Sequence, residues 1–200
     1  MQMMDRWKYK GLGRVRYGHP ESYERPAAWF DELGGVVEDW GCGCAFFKEY
    51  VKKCKYIGVE GSMNDWVDRH VDLRNYRSTC DHILLRGVID HNEDWELVVQ
   101  NAIASFQKRM VVMIFHALGP RTKKILTHTS GRYPGVIDMQ FCLSDLMKYF
   151  LPYLVKVEDI PAVLPKYINN EILFYLEKKD GVQQVQGTGS VPLETVAGPS

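Results

Sequence analysis

The run Val36-Val37-Glu38-Asp39-Trp40-Gly41-Cys42-Gly43-Cys44 carries two kinds of potential chemistry. Cysteines at 42 and 44 could bind a metal or do redox work. Glycines at 41 and 43 could bring bare backbone against a ligand. The five cysteines, at 42, 44, 54, 80 and 142, are odd in number, and their spacings match no zinc or disulfide framework. A structural zinc needs a second ligand pair, and no Cys/His pair stands at finger-like spacing. The expectation is therefore no metal, and reduced thiols that are partly buried as small apolar groups. The glycines carry the stretch, because they lack the side chains that keep a ligand off the backbone and they tolerate positive φ.

Four further groups have types and positions suited to chemistry. Glu60, in Glu60-Gly61-Ser62, follows the glycines by some twenty residues and could accept hydrogen bonds from two ribose hydroxyls. Asp72, in Asp72-Leu73, could accept from an exocyclic amine. Arg86-Gly87 closes an apolar run. His91 and His116 titrate near neutrality, as acid–base work on an acceptor requires. Each group also has a plainer reading. Glu60 could be a solvated strand terminus, Asp72 a helix cap, and the segment around His91 a helix start with Asn92 or Asp94 satisfying free amides. Trp40, Trp95, Phe46 and Phe47 read as core or pocket wall.

The elements that position these groups follow from hydrophobic period. Tyr23, Ala27, Phe30 and Leu33 recur at helical spacing and Gly34-Gly35 stops them, although Pro26 sits awkwardly inside. Val36-Val37 reads as a strand, and Phe46, Phe47, Tyr50 and Val51 as a helix whose first amides would favour an anionic group. Short strands follow at 56–59, near 69–72 and at 83–85. The segment 93–107 is a helix with acids in its first turn. The apolar run 109–117, closed by Gly-Pro, is a strand buried on both faces. Residues 121–140 are polar and turn-rich, a surface excursion or lid. The segment 143–154 is a helix, and two strands at 154–160 and 170–179 make a closing hairpin. Strands alternating with helices imply a parallel α/β sheet. In such a sheet ligands sit at the carboxyl ends of the strands, where every group named above falls.

Composition limits the partners. In 200 residues, 25 basic and 25 acidic side chains cancel, so no global field recruits a nucleic acid or an acidic membrane. A hydrophobic content of 46% suits a single domain at about 21–180. Residues 1–20, with Lys8, Lys10, Arg14 and Arg16, read as a basic solvated arm or a clamp over an anionic substrate, and 181–200 as a flexible tail. No apolar run approaches the ~20 residues needed to span a bilayer and no secretory pattern is present, so a cytoplasmic protein is expected.

The successive segments "VVEDWGCGCAFF", "YIGVEGS", "VDL" and "LLRGVIDHNEDW" resemble, in order, the motifs of class I S-adenosylmethionine-dependent methyltransferases, over about 36–115. The terminal "EILFYLEKK" resembles the family's last, antiparallel strand. The resemblance implies a three-layer Rossmann-like sandwich with a mostly parallel seven-stranded sheet, and S-adenosylmethionine as cofactor. It implies that Asp39, Trp40, Gly41, Cys42 and Gly43 surround the methionine part, and that Glu60, Gly61 and Ser62 lie at the ribose. Asp72 and Leu73 would flank the adenine, and Arg86 and Gly87 would lie beside the sulfonium. Cys44 stands where many members carry another glycine and narrows that side of the pocket. His91 and His116 are the candidate catalytic residues. The motifs of amino-group or cytosine methylation in nucleic acids are absent, leaving a small-molecule acceptor. Two rivals remain: a nucleoside-binding module without turnover, and a nicotinamide-dependent reductase. The second lacks the third glycine of the dinucleotide fingerprint, where Phe46 stands.

Overall fold

Alternation along two central strands builds both halves of the core. In a computed structural model, which describes residues 16–62, 64–129, 135–161 and 170–179, β4 is Cys80–Arg86 and β5 is Phe106–Ile114. Ile83, Leu85, Met110, Val112 and Ile114 face one side, against the helices α2 (Trp95–Ser105) and α3 (Leu143–Phe150). Leu84, Val111 and Met113 face the other side, against Tyr23, Ala27 and Phe30 of α1 (Glu21–Asp31). A strand with both faces covered reads as an unbroken apolar run, which is why 109–117 did not alternate.

The remaining strands are β1 (Gly35–Trp40), β2 (Cys54–Glu60), β3 (Arg69–His70), β6 (Lys123–Thr127), β7 (Ile137–Gln140), β8 (Leu154–Ile160) and β9 (Glu171–Glu177). The main sheet has seven strands in the order β3-β2-β1-β4-β5-β9-β8. The pairs from β3 to β5 are parallel, and β9 runs antiparallel to both β5 and β8. This is the three-layer, mostly parallel arrangement expected, with its antiparallel strand last in the chain. The excursion at 121–140 contains a two-stranded antiparallel hairpin, β6–β7. Lys8, Lys10, Arg14 and residues 181–200 lie outside the described residues. Among the described residues no helix is long and apolar enough to cross a membrane.

One local expectation holds against a local penalty and another fails, each for a physical reason. First, α1 forms as expected and runs through Pro26. An interior proline costs about 3 kcal/mol. Burying a large apolar side chain returns about 1.5–3 kcal/mol, and α1 buries Tyr23 and Phe30 as well as Ala27 and Trp29. Second, the helix expected at 46–51 is a single 3-10 turn, Phe46–Glu49. Gly41, Gly43 and Ala45 are all left-handed, at φ 74°, 53° and 55°, and consume the start of the connection. Its end is held by Asp31, whose carboxylate accepts the N–H groups of Lys52, Lys53 and Cys54 at 2.8, 2.8 and 3.0 Å. One turn is all that fits between. It offers no aligned helix dipole, so the expected anion site at a helix start is absent.

Burial alone would raise the pKa of Asp31, but the three amides outweigh it and hold the carboxyl below the ordinary range. Asp31→Ala should lower the unfolding free energy by about 1–3 kcal/mol, because buried donors lose their acceptor. Urea denaturation at neutral pH measures it, and an unchanged midpoint would contradict this role.

Candidate functional site

The crevice begins where β1 stops. The N–H groups of Gly41 and Cys42 both donate to the Val59 carbonyl, at 2.7 and 3.2 Å, and turn the chain onto the end of β2. Gly41 is required twice over. Its φ is left-handed, and a Cβ there would lie 2.5 Å from a methyl of Val88. The space left by this glycine is thus filled by the protein's own valine. The Cys42 sulfur packs over Gly58, Cys44 is buried, and none of the five cysteines is in a disulfide.

Glu60, at the end of β2, is 7% exposed and bonds to the same turn. Its Oε2 accepts the Gly43 N–H at 3.0 Å, and its Oε1 accepts those of Gly61 and Ser62 at 2.8 and 3.0 Å. A carboxylate offers about four acceptor positions, so roughly one remains for a ligand. Two ribose hydroxyls, as expected from the sequence, exceed that capacity.

Asp39 and Arg86, the last charged residues of β1 and β4, line one small cavity of about 10 Å³ together with Tyr17, Tyr23, Gly41, Cys42, Cys44, Phe46 and Phe47. Asp39 is 4% exposed and accepts the Tyr56 hydroxyl at 3.0 Å. Burial raises its pKa to about 7, against the opposing pull of the Tyr56 bond and the Arg86 charge. The Arg86 guanidinium lies 3.7 Å over the Tyr23 ring and 4.7 Å over Tyr17. It donates to the Ser22 hydroxyl and the Tyr17 carbonyl at 2.8 and 2.9 Å, and stands 3.6 Å from Glu171. Its Nη1 has no hydrogen-bond partner among the described residues. Glu171 in turn accepts the His19 N–H at 2.7 Å. The segment 16–20 is therefore fastened across the crevice. Arg16, expected in a solvated arm, lies over the Phe46 and Tyr50 rings at 5.2 and 5.4 Å and pairs with Glu49.

The other expected residues have local employment. The Trp40 side chain is fully buried, and its indole N–H donates to Glu38 at 2.8 Å. Leu73 is core. Asp72 is held by Arg74, whose hydrogen bonds lower its pKa, and Arg74 also reaches Asp94. Gly87 is left-handed at φ 63°, and a Cβ there would strike the Phe115 ring. None of Trp40, Asp72, Leu73 or Gly87 lines the cavity.

His91 and His116, distant in sequence, are brought to one carboxylate, that of Asp138 on β7. His91 Nδ1 stands 3.2 Å from Asp138 Oδ1 and 2.8 Å from the Ile137 carbonyl. His128 Nε2 stands 3.1 Å from Asp138 Oδ2, and His116 Nε2 4.0 Å from it. Asp138 and His128 were not anticipated. The available signal was a single acid inside the apolar alternation Val136-Ile137-Asp138-Met139. Among the described residues no group of three His, Cys, Asp or Glu side chains has metal-binding geometry.

No protein-family model matches the chain, and no curated protein matches its sequence. Solved structures match its fold. The Burkholderia thailandensis 1,6-didemethyltoxoflavin-N1-methyltransferase, with 1,6-didemethyltoxoflavin and S-adenosylhomocysteine bound, is similar at TM-score 0.62 and 15% identity over 80% of each chain. The magnesium protoporphyrin IX methyltransferase of Synechocystis PCC 6803, with S-adenosylmethionine bound, gives 0.58 at 14% identity, over 87% of this chain and 90% of that one. The N-terminal domain of EvdMO1, in the presence of S-adenosylhomocysteine and D-fucose, gives 0.58 at 12% identity, over 86% and 89%. The chain has the class I methyltransferase fold. In that fold the crevice described above occupies the carboxyl ends of β1, β2 and β4, where an open α/β sheet binds its ligand.

The raised pKa of Asp39 has a thermodynamic consequence. The folded chain keeps this proton up to about pH 7, whereas the unfolded chain releases it near its ordinary value of about 3.9. The resulting stability is complete below about pH 4 and is lost as pH rises through about 7. Asp39→Asn should remove that loss. Melting temperatures of both proteins between pH 4 and 7.5 measure it, and parallel curves would contradict the buried-acid assignment.

Proposed function

We propose that the chain is an S-adenosylmethionine-dependent methyltransferase acting on a small-molecule acceptor. One observation carries this reading: an acid, Asp39, and a base, Arg86, line one cavity beside the Gly41 turn, at the strand ends of a methyltransferase fold. A buried acid and a buried base at one cavity suit a zwitterion, and the methionine end of S-adenosylmethionine is one. Asp39 would hold the ammonium and Arg86, through Nη1, the carboxylate. Glu60 retains about one acceptor position toward a ribose hydroxyl. When bound, S-adenosylmethionine supplies a methyl group activated on a sulfonium. The protein's contribution is then placement and electrostatics. A neutral chain supports a small acceptor rather than a nucleic acid, and the small-molecule ligands named with the structural relatives agree with it.

A second reading, a nucleoside-binding module without turnover, draws on the size of the cavity. At about 10 Å³ it has room for roughly one water molecule, far below the ~300–1,000 Å³ of small-ligand sites, so a ligand enters only as the lining side chains shift. Isothermal titration with S-adenosylmethionine, S-adenosylhomocysteine and NADH tests the adenosyl ligand, and methyl transfer to a broad panel of acceptors separates an enzyme from a module without turnover. The first two should bind more tightly than about 1 mM, roughly 4 kcal/mol, and NADH should not. If neither adenosyl ligand binds at that level, the proposal fails.

A further inference from the structure

The main sheet ends on two unlike edges. At one, β3 is only two residues long, Arg69–His70. At the other, β8 runs seven residues, Leu154–Ile160, and pairs with β9 alone among the described residues. Its outer row of N–H and C=O groups is a template for a further strand. Opposite residues of an antiparallel pair share a face. Lys156 and Glu158 therefore stand on the α1 face with Tyr175 and Leu173, and Val157 and Asp159 on the other face with Phe174 and Ile172. Val155 and Val157 are 53% and 48% exposed. Leu151, three residues before β8, is 68% exposed, the highest value among the described large apolar residues. A long open edge with apolar side chains is a pairing surface.

We propose that β8 pairs antiparallel with β8 of a second copy of this chain, about a two-fold axis at Val157. A two-fold perpendicular to the sheet joins two such edges and keeps every side chain on its own face. Faces alternate along a strand, so one residue must lie opposite its own copy. The charges select which one. Centred on Lys156, the pairing sets lysine against lysine. Centred on Glu158 or Asp159, it sets acid against acid. Centred on Val155, it matches no charges and falls on the register shift between Leu154 and Lys156. Centred on Val157, Lys156 of each copy lies opposite Glu158 of the other, and valine meets valine.

Each chain already holds these two charges in place. Lys156 Nζ stands 2.8 Å from Glu158 Oε1 and 4.3 Å over the Tyr175 ring. The Tyr175 hydroxyl donates to Glu158 Oε2 at 2.8 Å, and Arg25 of α1 lies 3.6 Å from the same oxygen. A lysine often guards an open edge against pairing, but here it has its complement two residues along the same strand. The bulge at one end and Pro161 at the other bound the paired stretch, so the interface is short. The two-fold reverses strand direction. The carboxyl ends of β1, β2 and β4 then point opposite ways in the two copies, and both crevices stay open. The pairing is independent of the methyltransferase reading.

Sedimentation velocity of the whole chain tests the pairing. A reversible dimer is expected, with a Kd of about 1–100 μM, as a short, partly charged interface gives. Lys156→Glu and Glu158→Lys should each be monomeric over that range, because like charges then face each other. Mixed in equal amounts, the two variants should dimerise, since each acid of one faces a lysine of the other. The double variant Lys156→Glu/Glu158→Lys should recover the dimer. A wild-type chain that stays monomeric, or single variants that dimerise as it does, overturns the proposal. Hydrogen exchange decides the matter without a variant. The β8 amides directed away from β9 should exchange more slowly as wild-type concentration rises through the Kd. Exchange that ignores concentration, with those amides open or already protected in the monomer, contradicts the pairing.

Discussion

Glu60 accepts N–H groups from both sides of the crevice, Gly43 from the turn after β1 and Gly61 and Ser62 from its own loop. The carboxylate is buried, and burial raises its pKa while the three amides oppose the rise. A buried carboxylate without such partners would be costly. The two loops are therefore bound to one position relative to each other. The turn at Gly41 can then lie against Val88, and the chain that continues from Val88 delivers His91 to its place. Substituting Glu60 strikes the scaffold as well as any ligand bond, so it is a poor probe of ribose recognition.

Around that fixed point the charges are few and deeply placed. Asp39 and Arg86 share a cavity, and Arg86 and Glu171 together fasten the segment 16–20 over it. Aromatic rings supply much of the surroundings of Arg86, and a guanidinium tolerates them because it is weakly hydrated and stacks well. The two faces of the sheet are unequal. Helices α2 and α3 cover one, while α1 and a single 3-10 turn serve the other. The missing helix on the second face leaves the space that the N-terminal segment and Phe46 and Phe47 fill.

Much of the fold was legible in the sequence because its signals are local and repeated. The double-sided apolar run at β5, the helical periods of α1 and α2 and the terminal hairpin each depend on many residues that agree. The place of Glu60 beside the glycine turn was legible too, since strand-end residues in a parallel sheet converge whatever their separation. What escaped reading depends on single contacts. Asp31 catching three amides, which limits the helix expected at 46–51 to one turn, leaves no periodic trace. Nor does the convergence of His91, His116 and His128 on Asp138, because it is set by where the hairpin docks. Pro26 is the opposite case: its local penalty is real, yet the helical period of α1 prevails because burial elsewhere on the helix offsets it.

The central claim is that the cavity beside Gly41, between Asp39 and Arg86, holds the amino-acid end of an adenosyl ligand. A crystal structure of the protein grown with S-adenosylhomocysteine tests it directly. The account predicts the ligand's ammonium within hydrogen-bonding distance of the Asp39 carboxylate and its carboxylate at Arg86 Nη1, with one ribose hydroxyl on Glu60. A ligand seated elsewhere, or an adenosyl group in place with its amino-acid end turned away from both charges, would contradict it.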